Sequence, residues 1–211
     1  MYPKIKVCGM AQAANIAEVA ELRPDYMGFI FYGQSPRAIS EVSAELIRYV
    51  PEAILTIGVF VDEDLDQVKA RIIRHQLKAI QLHGKESAAY CGLLKDAGIT
   101  VIKAFGVGQD FDFGQLEPYA DVVDYFLFDT QTPAHGGSGR VFDWKLLDDY
   151  QLDKPYFLSG GIDLQHVEAI KSMTDSRLHA IDVNSRFEIA PGLKDVNKVN
   201  ELIQKFKIQS T

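Results

Sequence analysis

DYFLFDTQTPAHGGSGRVFDW, residues 124–144, is the stretch whose reading decides the fold. The apolar run Tyr125 to Phe128 ends in Asp129. A loop with Pro133, His135, Gly136, Gly137 and Gly139 follows. Phe142, Asp143 and Trp144 then open a helical pattern, with Asp143 as its expected N-cap. A carboxylate at the C-terminal end of a buried strand, followed by a glycine-rich loop, is one way to set a catalytic acid beneath a cover. On its own, Asp129 also reads as an ordinary turn residue.

The rest of the chain repeats this grammar. Short apolar runs recur at Lys4–Cys8, Tyr26–Phe31, Ile54–Val61, Ala79–Leu82, Val101–Phe105, Tyr125–Phe128, Tyr156–Leu158 and Ala180–Val183. Continuous apolar runs suit parallel strands covered on both faces. Between them lie segments with apolar residues three or four apart, such as Leu65, Val68, Ile72 and Ile73, or Val199, Leu202, Ile203 and Phe206. The segment Asp110–Tyr119 is the weakest helix, with Gly114 and Pro118 inside it. Parallel strands need helical crossovers. Eight such units, about 26 residues each, predict a single-domain (β/α)8 TIM barrel over residues 1–211. A doubly wound open sheet is the alternative. It calls for a glycine-rich fingerprint after the first strand, where Gly9 stands alone.

Composition narrows the function classes. A net charge of -7 without a Lys/Arg cluster argues against nucleic acid. No apolar run approaches the roughly 18 residues of a membrane span. The two cysteines, Cys8 and Cys91, are too few for a disulfide framework, and the expected setting is a reducing cytoplasm. Cys91 falls in a helical pattern and reads as packing.

In a barrel of this kind the C-terminal strand ends share one mouth. That places Cys8 and Gly9, Arg37, Asp62, Gln81 and His83, Asp129, Ser159 to Gly161, and Asp182 to Ser185 around one rim. Each has a plain reading: Cys8 as a small core residue, His83 as a bonded core imidazole, Arg37 as a solvated cation, Asp182 as a backbone acceptor. Jointly, Gly160-Gly161 and the loop from Asn184 and Ser185 to Gly192 match the phosphate site that such barrels build after strands seven and eight. Arg37 suits a carboxylate across the mouth. Scattered histidines show no metal spacing, so no metal or other cofactor is expected.

KVCGM at 6–10, DYMGFIFYGQSPRAIS at 25–40, IGVFVDE at 57–63, IQLHG at 80–84, IKAF at 102–105, FLFDTQTPAHGGSGRVFDW at 126–144, LSGGI at 158–162 and DVNSRFEIAPGLKD at 182–195 appear in this order. In them the chain resembles the phosphoribosylanthranilate isomerase family of tryptophan biosynthesis. The resemblance implies a cofactor-free Amadori rearrangement of the small-molecule substrate phosphoribosylanthranilate. It implies Cys8 as general base and Asp129 as general acid, and Arg37 on the substrate carboxylate. Gly160, Gly161 and the segment around Ser185 would hold phosphate, with His83 and Asp182 lining the pocket. Asp129 would begin protonated, and the loop of Pro133 to Gly139 would help keep it so. The family reads DVSSGVE where this chain has DVNSRFE, so Arg186 stands in place of a glycine. It would be strained there if its φ were positive. Neither nucleic acid nor membrane is expected as a partner, and the assembly is open between monomer and homodimer. Two readings stay beside this one. A related sugar-phosphate isomerase would need carboxylates at strand ends one and five, where Cys8 and Phe105 stand. A barrel that only binds a phosphorylated ligand would need no paired base and acid.

Overall fold

The computed structural model describes residues 2–130 and 142–207. Eight parallel strands close into a barrel in the order β1 to β8, with β1 paired to β8. They are β1 Lys4–Val7, β2 Tyr26–Ile30, β3 Leu55–Phe60, β4 Ala79–Leu82, β5 Thr100–Val107, β6 Tyr125–Thr130, β7 Tyr156–Leu158 and β8 Leu178–Val183. Every strand expected from the apolar runs is present. β6 runs two residues further than expected, so Asp129 is a strand residue that pairs with Gly106 of β5.

The covering layer is less regular than the pattern implies. Helices α1 Ala13–Glu21, α3 Leu65–His75, α4 Ala88–Asp96 and α6 Val196–Lys207 follow their apolar stripes. The second segment breaks into a short α2, Glu41–Ala44, and a 3-10 turn, Ile47–Tyr49. The segment after β5 is a 3-10 helix, Phe113–Tyr119, because Pro118 cannot donate to an α-helical ladder. After β6, Trp144–Asp149 is also 3-10, capped as expected by the Asp143 side chain accepting from the Lys145 N–H. A 3-10 turn, Leu164–His166, leads into α5, Val167–Lys171. An unforeseen hairpin, β9 Glu188–Ala190 and β10 Leu193–Lys194, follows β8.

Two apolar layers hold the fold. Strand faces and helices share a core that includes Val7, Met27, Phe29, Ile80, Phe126, Phe128, Ile181 and Leu202. Cys91 is fully buried in it, and burial pushes its thiol up to about 11, as suits a packing residue. Inside the barrel, Ile57, Ala79, Ile102, Leu127, Phe157 and Ala180 fill the lower lumen around Tyr26. Above that layer the inward residues turn polar: Lys6, Gln81, Asp129 and Asp182 are all buried. None of the described helices is long and apolar enough to cross a membrane.

Candidate active site

Side-chain alternation along β1 points Lys6 and Cys8 inward on the same face, two residues apart. Cys8 lies just past β1, its N–H bonded to the Val183 carbonyl of β8 at 2.9 Å. The thiol has room because β2 offers Gly28: a Cβ there would sit 2.7 Å from the Cys8 Sγ. Gly9 has φ +75, which a side chain rarely adopts.

Beneath the thiol lies an ion pair. Lys6 stands opposite Asp182 in the β1–β8 ladder, and its Nζ donates to Asp182 Oδ2 at 2.8 Å and to Gln81 Oε1 at 2.6 Å. Burial pulls the Lys6 ammonium down, but Asp182 and Cys8 outweigh it and leave its pKa above the ordinary value. Burial pushes the Asp182 carboxyl up, against the opposing pull of Lys6 and with the help of Asp129. Its second oxygen, Oδ1, is buried and has no hydrogen-bond partner among the described residues. Burial also pushes the Cys8 thiol up, with Lys6 and Lys194 pulling the other way.

A second cluster flanks the thiol. Arg37 lays its Nε and Nη2 edge on Glu188, at 2.9–3.0 Å. Lys194 of β10 is fully buried and donates to Glu188 at 2.6 Å and to Asn184 Oδ1 at 2.7 Å. The two cations overcome burial and hold the Glu188 carboxyl below its usual range. Burial lowers the Lys194 ammonium more than Glu188 raises it. The β9–β10 hairpin exists to bring this lysine and glutamate to the mouth, which explains the sequence between Glu188 and Lys194.

Across the mouth stands Asp129, 7% exposed. Its Oδ1 accepts from the Thr130 N–H at 2.8 Å, and its Oδ2 lies 3.5 Å from His83 Nε2. His83 Nδ1 is 2.8 Å from Gln81 Nε2. Gly160, with φ +89, lets the turn after β7 pass close by: a Cβ there would meet Thr130 N at 2.5 Å and Asp129 Oδ1 at 2.9 Å. Gly161 follows with φ +65.

Of the residues named from sequence, Cys8, Arg37, His83, Asp129, Gly160, Gly161, Asp182, Asn184 and Ser185 all come to this end of the barrel. Asn184 turns its side chain toward Gly9 and Lys194, on the Cys8 side rather than toward Gly160. Ser185 opens the 3-10 turn Ser185–Phe187. Arg186 is not among the residues with positive φ, so the strain conceived for it does not arise. It is exposed and acts electrostatically on Asp163, at the start of the helical segment that follows Gly161. The loop conceived as a cover, Pro133 to Gly139, lies outside the described residues. Lys6, Gln81, Glu188 and Lys194 carry much of the site and were not singled out from sequence as functional side chains, Gln81 excepted as a rim position. The alternation Lys6–Cys8 within an apolar strand was the available signal. A groove of about 650 Å³ between Trp144, Leu147, Asp175 and Arg177 lies apart from these groups.

The family model for N-(5'-phosphoribosyl)anthranilate (PRA) isomerase matches residues 5–205. The N-(5'-phosphoribosyl)anthranilate isomerase of Parabacteroides distasonis is 41% identical over 203 residues, covering 95% of this chain and 92% of its own. That of Phocaeicola vulgatus is 40% identical over 203 residues, covering 96% and 97%. Among solved structures, phosphoribosyl anthranilate isomerase from Thermotoga maritima superposes with a TM-score of 0.85 at 33% identity, covering 97% of this chain and 98% of that one. A phosphoribosyl anthranilate isomerase in complex with reduced 1-(o-carboxyphenylamino)-1-deoxyribulose 5-phosphate superposes with a TM-score of 0.83 at 31% identity, with the same coverage.

Proposed function

The chain belongs to the N-(5'-phosphoribosyl)anthranilate isomerase family, and from that premise we propose that Cys8 and Asp129 are its general base and general acid. The reaction is the isomerisation of N-(5-phosphoribosyl)anthranilate to 1-(2-carboxyphenylamino)-1-deoxyribulose 5-phosphate, a step of tryptophan biosynthesis. The observation that carries the residue assignment is the placement of a buried thiol and a buried carboxyl on opposite walls of one mouth.

The chemistry asks for both. Opening the furanose ring requires a proton on the ring oxygen, which Asp129 delivers in its protonated form, and leaves a cationic iminium at C1. That cation acidifies the C2 hydrogen. Cys8, as thiolate, removes the proton from C2 and the electron pair forms the C1–C2 double bond of an enolamine. Loss of the O2 proton and protonation at C1 complete the aminoketose. Burial pushes the Cys8 thiol up even against the pull of Lys6 and Lys194, so forming the thiolate calls on the arriving iminium as well. The Asp182 Oδ1, buried and without a hydrogen bond among the described residues, suits a hydroxyl of the sugar.

Arg37 binds the anthranilate carboxylate through the guanidinium edge that Glu188 does not occupy, Glu188 fixing its orientation. The phosphate lies over Gly160, Gly161 and the Ser185 turn, with Arg186 adding a cation nearby. The protein works on this small molecule without a cofactor, in the cytoplasm, as a monomer or a homodimer like the dimeric Thermotoga maritima relative. The residue roles are tested by turnover of freshly made phosphoribosylanthranilate. Cys8→Ala and Asp129→Asn should each lose about 10²–10⁴-fold or more in kcat, with unfolding curves close to wild type. Turnover within a few-fold of wild type in either variant removes that residue from its role.

A further inference from the structure

The upper lumen holds a run of polar contacts, two hydrogen bonds and one 3.5 Å approach, that spans the barrel from the base wall to the acid wall. Its members are Lys6 on β1, Gln81 on β4, His83 just past β4 and Asp129 on β6. The direction of every bond in it follows from one fact. An ammonium has donors only, so the atom of Gln81 that faces Lys6 Nζ at 2.6 Å is the amide oxygen. The amide nitrogen then faces His83 Nδ1 at 2.8 Å, and this nitrogen can only donate. His83 Nδ1 must therefore accept, which in a neutral imidazole leaves the proton on Nε2. Nε2 is the atom that faces Asp129 Oδ2, at 3.5 Å.

The backbone around His83 is clamped independently. The His83 N–H donates to the Phe60 carbonyl at 2.8 Å. Immediately after it, the Gly84 N–H donates to both oxygens of Glu86, at 3.0 and 3.2 Å. Glu86 also accepts from the Asp62 N–H at 2.9 Å and from Lys103 Nζ at 3.1 Å, and both charged side chains of that pair are only 2% exposed. Lys103 closes the loop by donating to the Gly84 carbonyl at 2.7 Å. The clamped backbone fixes where the ring is attached, and the Gln81 amide that donates to Nδ1 sets its tautomer.

We propose that Lys6 and Gln81 lock His83 as the Nε2–H tautomer, so that His83 is a positioning residue that donates to the Asp129 carboxyl and sets which of its lone pairs face the substrate. The role rests on Asp129 being the acid of the proposed function. Oδ1 is held by the Thr130 N–H, so a second donor at Oδ2 fixes the carboxyl plane. Asp182 also interacts electrostatically with His83 from the opposite wall, and Lys6 is its partner. With the tautomer reversed, a bare Nε2 would face the carboxyl, and an ionised Asp129 would be repelled.

The test reads the tautomer directly. In uniformly ¹⁵N-labelled protein at about pH 8, where an imidazole is ordinarily neutral, long-range ¹H–¹⁵N correlations distinguish the two ring nitrogens. The His83 signals, identified by their loss in His83→Gln, should show a protonated Nε2 and a bare Nδ1. In Gln81→Glu the carboxylate accepts from Nδ1, so the pattern should invert or become that of an imidazolium. kcat should fall about tenfold or more with KM nearly unchanged. A protonated Nδ1 in the wild-type protein overturns the proposal, whatever the variant does. So does a Gln81→Glu variant with unaltered tautomer and kcat. Because the wild-type spectrum involves no turnover, it stands or falls apart from the assignment of Asp129, which the Asp129→Asn assay decides.

Discussion

The two walls of the mouth solve one problem in opposite ways. On the wall of the proposed base, Cys8 sits among full charges: Lys6 and Asp182 below it, Lys194, Glu188 and Arg37 beside it. All of these but Arg37 are essentially sealed from solvent at the side chain, and Arg37 is largely so. On the wall of the proposed acid, the groups that touch Asp129 among the described residues are a backbone N–H and an imidazole. A thiol has to become an anion in a dry place, and buried cations favour that form. An acid has to hold a proton until the ring oxygen arrives, and a facing cation would strip it away. Lys6 reaches toward the acid wall through Gln81 and His83. The difference teaches that, among the described residues, the buried cations of the lumen stand beside Cys8, while an amide and an imidazole lead across to Asp129.

The largest blow to this contrast should come from Lys6. Lys6→Met leaves Asp182 buried without its counter-ion, which should cost about 3–5 kcal/mol of unfolding free energy, read from urea denaturation. Asp182→Asn in the same chain should restore much of it, because no buried charge is then left unpaired. If the single variant is as stable as wild type, the pair is not the keel of the base wall.

Arg37→Ala should act on binding more than on chemistry. Loss of charged hydrogen bonds worth about 1.5–3 kcal/mol corresponds to roughly 10- to 100-fold in KM. A substrate analogue lacking the anthranilate carboxylate should bind wild type and variant alike. Equal losses for both ligands would assign Arg37 only to holding Glu188.

The smallest effect sits behind the base wall. His75, buried at the end of α3, stacks on Phe31, which leads into the loop that carries Arg37, and neither ring nitrogen has a hydrogen bond among the described residues. Burial lowers its pKa, Arg74 and Arg71 act in the same sense, and Glu41 and a weak approach to the Ala44 backbone oppose. A depressed folded value means that its stabilising contribution is complete above the unfolded value of about 6.5 and is lost as pH falls through the folded value. His75→Phe should therefore be more stable on the order of 1 kcal/mol and should lose less stability between neutral and mildly acid pH, as followed by thermal unfolding.

Much of this was legible in the sequence, and the part that was not has a physical reason. Apolar runs marked the eight strands because a parallel barrel buries both strand faces. The strand-end residues Cys8, His83, Asp129 and Asp182 followed from where those runs stop. Lys6, Lys194 and Glu188 were hidden because a charged residue in a sequence reads as solvated. Only closure of the barrel, which sets Lys6 opposite Asp182 in the ladder, brings them inside. The β9–β10 hairpin is too short for any periodicity to register. Helical stripes overstated regularity where Pro118 and short connections favour 3-10 turns.

The division of labour between the walls is tested most directly with substrate deuterated at ribose C2. Cys8→Ser weakens the base, so C–H cleavage should limit turnover more fully and the deuterium effect on kcat should grow. Asp129→Asn weakens the acid, so ring opening should limit turnover and the effect should shrink toward unity. The reverse pattern, a larger effect in Asp129→Asn and a smaller one in Cys8→Ser, would contradict the assignment of the thiol as base and the carboxyl as acid.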